Sequence, residues 1–263
     1  MKVSHYQEGM PCWIELASRE AASGKHFYSA LFDWQLKEMP TPDGTYTMFA
    51  IGDDDVAAVY QLPQSMIDAQ VPTHWGVYFA VNDLEATLAL VKQHGGKVML
   101  GPHDVGEAGR MAQCQDPEGS VFSLWQAKQH IGAMRQNEPN TFCWVELACR
   151  KPDLAKAFYA KVLGWFTHIS VMENFDYCEW LVGDTAIGGM MEMTPEWGDM
   201  PSHWMPYVMV EHCDAIVAKA TEIGGKVCVP PTDIPNVGRF AVLNDPQEGF
   251  FSVITLLPQP SSD

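Results

Sequence analysis

The chain has 263 residues, of which 47% are apolar, and a formal net charge of −17. That is enough material for one large or two small cores, and too apolar for a disordered chain. Acidity of this strength excludes nucleic acid and anionic membrane surfaces as partners, because both need a basic footprint.

In chain order, Met1–Glu8 lacks the apolar core of a signal peptide. Trp13–Ala17 reads as a strand. A helix follows with Phe27 and Tyr28, although Gly24 inside it costs about 1 kcal/mol relative to Ala. Gly44–Ile51 and Val56–Leu62 are extended, and Val77–Val81 opens a second unit. Asn82 with Glu85 predicts a capping box for the next helix, which carries Leu84, Leu88 and Val91 on one face and ends at Gly95. Val98–Leu100, Gly109–Gln115 and Val121–Trp125 then read as strands, with Asp116–Gly119 as the turn between the last two.

From there the chain repeats itself. Cys12-Trp13-Ile14-Glu15-Leu16-Ala17 returns as Cys143-Trp144-Val145-Glu146-Leu147-Ala148, 131 residues later. Gly109-Arg110 and Asp116-Pro117 return as Gly238-Arg239 and Asp245-Pro246, 129 residues later. A period this long suits a duplicated domain rather than a solenoid. The predicted order is strand, helix, three strands, four times over. A unit of about 55 residues buries too little core by itself. Pairing the units gives an α+β protein with domains at 1–127 and 142–263, joined by a polar linker at 128–141. The seven cysteines lack the spacing of a disulfide framework or a CxxC zinc site. No run approaches the length of a membrane span. The expectation is a cytoplasmic protein with free thiols, acting as a monomer or homodimer.

Phe27-Tyr28 with Leu31-Phe32-Asp33-Trp34, Phe158-Tyr159 with Val162-Leu163-Gly164-Trp165, and the closing Asp116-Pro117-Glu118-Gly119 and Asp245-Pro246-Gln247-Glu248-Gly249 resemble the vicinal oxygen chelate superfamily. This is the glyoxalase, bleomycin-resistance and extradiol-dioxygenase group. The resemblance covers nearly the whole chain and looks most like its two-domain glyoxalase-like members. It implies four βαβββ units paired into two domains, each with a curved sheet forming a cup. In the family's enzymes the cup holds a divalent metal, ligated by His or Gln near the start of a unit's first strand and by Glu on its last strand.

The resemblance places those ligand positions near Pro11 or Trp13, Phe142 or Trp144, Gly76 and Pro206, and puts Ser123 and Ser252 at the closing glutamate. Serine is a poor substitute for a carboxylate on a divalent ion. The expectation is therefore small-molecule binding in the cups with no metal or other cofactor. A metal-dependent glyoxalase-like lyase or oxygenase is the alternative, and a non-catalytic interaction module the second alternative. Strand alternation puts Trp13 with Glu15, and Trp144 with Glu146, on one face, where an aromatic wall beside a carboxylate would suit an amphiphilic or cationic ligand. The competing reading makes the Trp core and pairs the Glu with Arg110 or Arg239. Tyr78, His74 and His203 complete the candidate cup lining. The competing reading, favoured because turns commonly carry such residues, makes the two histidines loop residues with Trp75 and Trp204 covering the core edge. Glu192, whose first-half counterpart is Gln61, is the remaining candidate metal ligand.

Overall fold

The computed structural model describes residues 1–41, 44–171 and 176–258. One eight-stranded sheet is built from β1 (Pro11–Ser18), β2 (Gln35–Thr41), β3 (Gly44–Ile51), β4 (Asp54–Gln61), β5 (His74–Ala80), β6 (Lys97–Val105), β7 (Gly109–Gln115) and β8 (Val121–Ala127). Helix α1 (Ala21–Phe32) follows β1, the short α2 (Gln64–Asp68) precedes β5, and α3 (Leu84–Gln93) follows β5. The second sheet repeats this with β9 (Phe142–Cys149), β10 (Phe166–Val171), β11 (Asp176–Val182), β12 (Thr185–Glu192), β13 (His203–Met209), β14 (Lys226–Ile234), β15 (Gly238–Asn244) and β16 (Phe250–Leu256). Its helices are α4 (Pro152–Val162) and α5 (Cys213–Glu222). The predicted end of the second domain, at 259–263, lies outside the described residues.

The strand orders are β2-β3-β4-β1-β5-β8-β7-β6 and β10-β11-β12-β9-β13-β16-β15-β14. In each unit the first strand pairs in parallel with that unit's own last strand. The two units of a sheet meet where β1 runs antiparallel to β5, and β9 to β13. This is the predicted α+β architecture of four βαβββ units. The sequence reading missed β2 and β10. Gln35–Thr41 is almost wholly exposed, and its Leu36 and Met39 stand three apart, so it carries no alternation signal. The capping box also needs correction: Asp83 is the N-cap, accepting from the Ala86 amide at 3.0 Å, while Asn82 donates to Glu8. Gly24 packs against Leu16, where a Cβ would come within 2.8 Å of the leucine Cδ2. The residue that weakens α1 in isolation is the one that lets it lie on β1.

The helix-bearing faces of the two sheets pack on each other, leaving the concave faces pointing away from one another. Phe79 on β5 stacks edge-on against Trp204 on β13 and against Trp165, and Phe27 on α1 meets Phe251 on β16. One hydrophobic core runs through both halves.

The repeated motifs meet across this junction. Tyr28 Oη donates to Asp245 Oδ2 at 3.1 Å and accepts from Trp75 Nε1 at 2.9 Å. Its copy Tyr159 donates to Asp116 Oδ2 at 3.1 Å and accepts from Trp204 Nε1 at 2.9 Å. The other oxygen of each aspartate holds backbone amides of its own turn, Glu118, Gly119 and Ser120 for Asp116, and Gln247 and Gly249 for Asp245. Each half's closing turn is thus bolted to the other half's first helix.

Candidate functional site

Trp13, Glu15 and Ala17 alternate with Ile14, Leu16 and Ser18 along β1, and the first set faces the cup. Across the β1–β5 ladder, Trp13 is level with Tyr78, Glu15 with Gly76, and Ala17 with His74. Glu15 Oε2 accepts from Tyr46 Oη at 2.5 Å and Oε1 accepts from Tyr78 Oη at 2.9 Å. Trp13 Nε1 in turn donates to Tyr46 Oη at 3.3 Å.

The second cup repeats the cluster. Glu146 accepts from Tyr177 at 2.7 Å and from Tyr207 at 3.0 Å, and Trp144 Nε1 donates to Tyr177 Oη at 3.0 Å. Burial raises the pKa of Glu15 and of Glu146, and the two phenolic hydrogen bonds to each pull the other way. Burial, then the adjacent carboxylate, holds all four phenols well above the ordinary tyrosine range, so they remain protonated donors.

Gly189 makes room for the second cluster. It lies level with Glu146, and a Cβ there would fall 1.7 Å from Tyr177 Oη. Gly189→Ala is expected to push Tyr177 off Glu146 and to lower stability by about 1–3 kcal/mol, read by urea denaturation. An unchanged midpoint would mean that the tyrosine ring moves aside freely.

The structure brings together Trp13, Glu15 and Tyr78 in one cup and Trp144 and Glu146 in the other. Ser123 and Ser252 lie buried, level with Tyr78 and Tyr207 on the neighbouring strands, and Ser252 Oγ donates to Met205 Sδ at 3.3 Å. His74 and His203 sit on the cup side at the start of β5 and β13, each with Nδ1 bonded to a proline carbonyl two residues back, Pro72 or Pro201. Trp75 and Trp204 point to the opposite, core face. Sequence reasoning missed Tyr46, Tyr177 and the role of Tyr207. The signal was present, since Tyr46 and Tyr177 are 131 residues apart, the offset of the Trp-x-Glu motif itself.

Two expectations change. Arg110 pairs with Glu85 and Asp104, and Arg239 with Asp214 and Asp233, all on the surface, so neither arginine reaches a cup glutamate. Glu192 is level with Cys149 on the helix-side face and borders a cavity of about 310 Å³ with Pro152, Lys156 and Cys178. It faces away from Glu146. Gln61 instead accepts from the Ala21 amide and donates to the Arg19 carbonyl, fixing the start of α1.

The cup chemistry does not fit the family's metal. The cluster common to both cups offers one carboxylate whose oxygens already accept from two protonated phenols, with a neutral serine at the family's closing-glutamate position. In the second cup Glu179 shares the face two strands from Glu146, but it is bonded to His168 and Ser170. Hard divalent ions need several anionic or strongly basic donors converging on a point. Among the described residues no three His, Cys, Asp or Glu side chains converge so.

The model of the Glyoxalase/Bleomycin resistance protein/Dioxygenase superfamily matches residues 11–124. The chain is 42% identical to the Mycobacterium tuberculosis protein "Putative glyoxylase CFP32", over 98% of this chain and 99% of that one. It is 34% identical to the "Anthracycline biosynthesis protein DnrV" of Streptomyces peucetius, over 97% and 96%. Among solved structures, the Mn(II)-bound glyoxalase of Novosphingobium aromaticivorans superposes with a TM-score of 0.66 at 15% identity, covering 96% of this chain and 83% of that one. The 2,3-dioxygenase LapB of Pseudomonas sp. KL28 gives 0.63 at 15% identity, covering 98% and 96%. No helix among the described residues is long and apolar enough to cross a membrane. Four βαβββ units in two sheets, the family model and relatives spanning almost the whole length agree, and the chain belongs to the glyoxalase/bleomycin resistance protein/dioxygenase superfamily.

Proposed function

We propose that the chain binds a small amphiphilic or cationic molecule in its sheet cups, through the Trp–Tyr–Glu–Tyr cluster and without a metal. One observation carries this reading: the same cluster is built in both cups while the residues around it differ. Lys37 is replaced by His168, Met48 by Glu179 and Gly76 by Met205 at matching register positions. A buried carboxylate without a cationic partner is a poor way to stabilise a sheet, since an apolar residue of similar volume does as well or better. Its duplication points to a use. Two lone-pair sites on each carboxylate remain beyond those the tyrosines fill, and the indole and phenol faces supply an aromatic wall. The relative named for anthracycline biosynthesis supports an aromatic ligand. The raised pKa of the glutamates favours a second reading, in which the bound molecule gives up a proton to this carboxyl, in keeping with the relative named a glyoxylase.

Thermal unfolding against a panel of aromatic amines and phenols tests the proposal. A ligand at about a hundredfold excess over its Kd adds about 2.7 kcal/mol, a rise of about 5–10 °C for a chain of this size. A panel silent throughout would favour cups filled by their own side chains, as in an interaction module.

A further inference from the structure

The two cups carry the same cluster but are covered at opposite ends. In the first, Trp13 is only 4% exposed. His130, from the segment between the sheets, sets its ring edge-on against Trp13 at 4.9 Å, and its carbonyl accepts from Trp125 Nε1. Glu15 at the other end is only half-buried, and Gly76, level with it on β5, is half-buried too. In the second cup the order reverses. Trp144 is half-buried, while Glu146 is 6% exposed and Met205, in the place of Gly76, 8%. Met205 is held firmly there, accepting from Ser252 Oγ and packing with Tyr207 and Ile254.

Resting on the binding reading above, we infer that only the first cup admits a ligand to its carboxylate, and that this ligand is a flat organic cation whose N–H groups meet Glu15 over the notch at Gly76. Met205 occupies the equivalent notch of the second cup and closes it. The charge of the ligand follows from what surrounds Glu15. Among the described residues no lysine or arginine pairs with it, and the nearby Lys37 is engaged by Asp55 and the Asp53 carbonyl. His74 lies two residues along β5 from Gly76 on the same face. Its Nδ1 bonds to the Pro72 carbonyl, which can only accept, so Nδ1 carries a proton and the neutral ring presents Nε2 as an acceptor. Two acceptors on one face, with no lysine or arginine paired to the carboxylate, select a donor-rich, positively charged partner.

Gly76 is open enough for a direct exchange. A Cβ there would meet nothing nearer than the Glu15 carbonyl, at an ordinary 3.7 Å. Benzamidine, a flat amidinium, is the probe. Calorimetry is expected to show one molecule bound per chain, none to Gly76→Met, and two to Met205→Gly. Two per chain in the unaltered protein, or undiminished binding by Gly76→Met, would overturn the assignment to the first cup. No binding by either the unaltered chain or Met205→Gly would overturn the cationic ligand. Carboxyl modification by a water-soluble carbodiimide and an amine, read by mass spectrometry on the unaltered chain, checks the asymmetry without any ligand. Glu15 should react several-fold faster than Glu146, because Glu15 is half-buried and Glu146 only 6% exposed. Equal rates would overturn the closure by Met205 and leave the binding reading to stand or fall on the melting shifts.

Discussion

Replacing Tyr28 and Tyr159 together by Phe is expected to remove about 4–8 kcal/mol of stability, most of what a protein of this kind possesses. Each phenol sits fully buried between a tryptophan of its own half and an aspartate of the other half. The Phe ring fills the same space, so little packing is lost. What changes is that an indole N–H and a carboxylate oxygen are left without their partner in the interior, at about 1–2 kcal/mol for each group. The two sites share no hydrogen-bond partner, so the single losses of about 2–4 kcal/mol should add. Urea denaturation of both single variants and the double measures this. A loss under about 1 kcal/mol for the double would mean that the Tyr–Asp bonds do not fasten the halves together.

The second large effect concerns the cups. Tyr177→Phe with Tyr207→Phe strips Glu146 of both donors. Hydrogen bonds to a charged group contribute about 1.5–3 kcal/mol each, so the pair should lose about 3–6 kcal/mol at pH 8. The loss must depend on pH. Burial already places the folded-state pKa of Glu146 above the ordinary glutamate value, so ionising it works against the fold. Without the tyrosines that pKa rises further. Below the unfolded glutamate value the carboxyl is protonated in both states and the deficit shrinks. As pH rises through the folded-state pKa, a buried charge forms without donors and the deficit grows. Denaturant midpoints of the unaltered and double-variant proteins between pH 4 and pH 8 should therefore diverge upward in pH. A constant gap would mean that Glu146 is not the group responding.

Much of this was legible in the sequence because the chain contains its own comparison. The 131-residue repeat exposed the fold, and strand alternation put Trp13 and Glu15 on one face. Three motifs were visible separately: Phe-Tyr on the first helix, His-Trp before the second unit and Asp-Pro at the last turn. That Tyr28, Trp75 and Asp245 form one cluster was not visible, because periodicity reports which face of an element is buried and not which half of the molecule buries it. The partner of Glu15 was missed for a related reason. Arginine is the expected companion of a carboxylate, but Tyr46 comes from a hairpin strand whose register depends on β2, which lacks any apolar alternation. The difference between the cups was written plainly, as Gly76 against Met205, but it acquires meaning only when the ladder sets both level with a glutamate.

Whether these cups hold a small molecule through a tyrosine-bound carboxylate, rather than a metal, is tested most directly by native mass spectrometry. The chain is produced with manganese, iron, nickel and zinc supplied. The account predicts no metal retained in fixed proportion, and a small organic adduct that is lost in Glu15→Gln. A divalent ion bound one per chain, and lost with the same substitution, would contradict it.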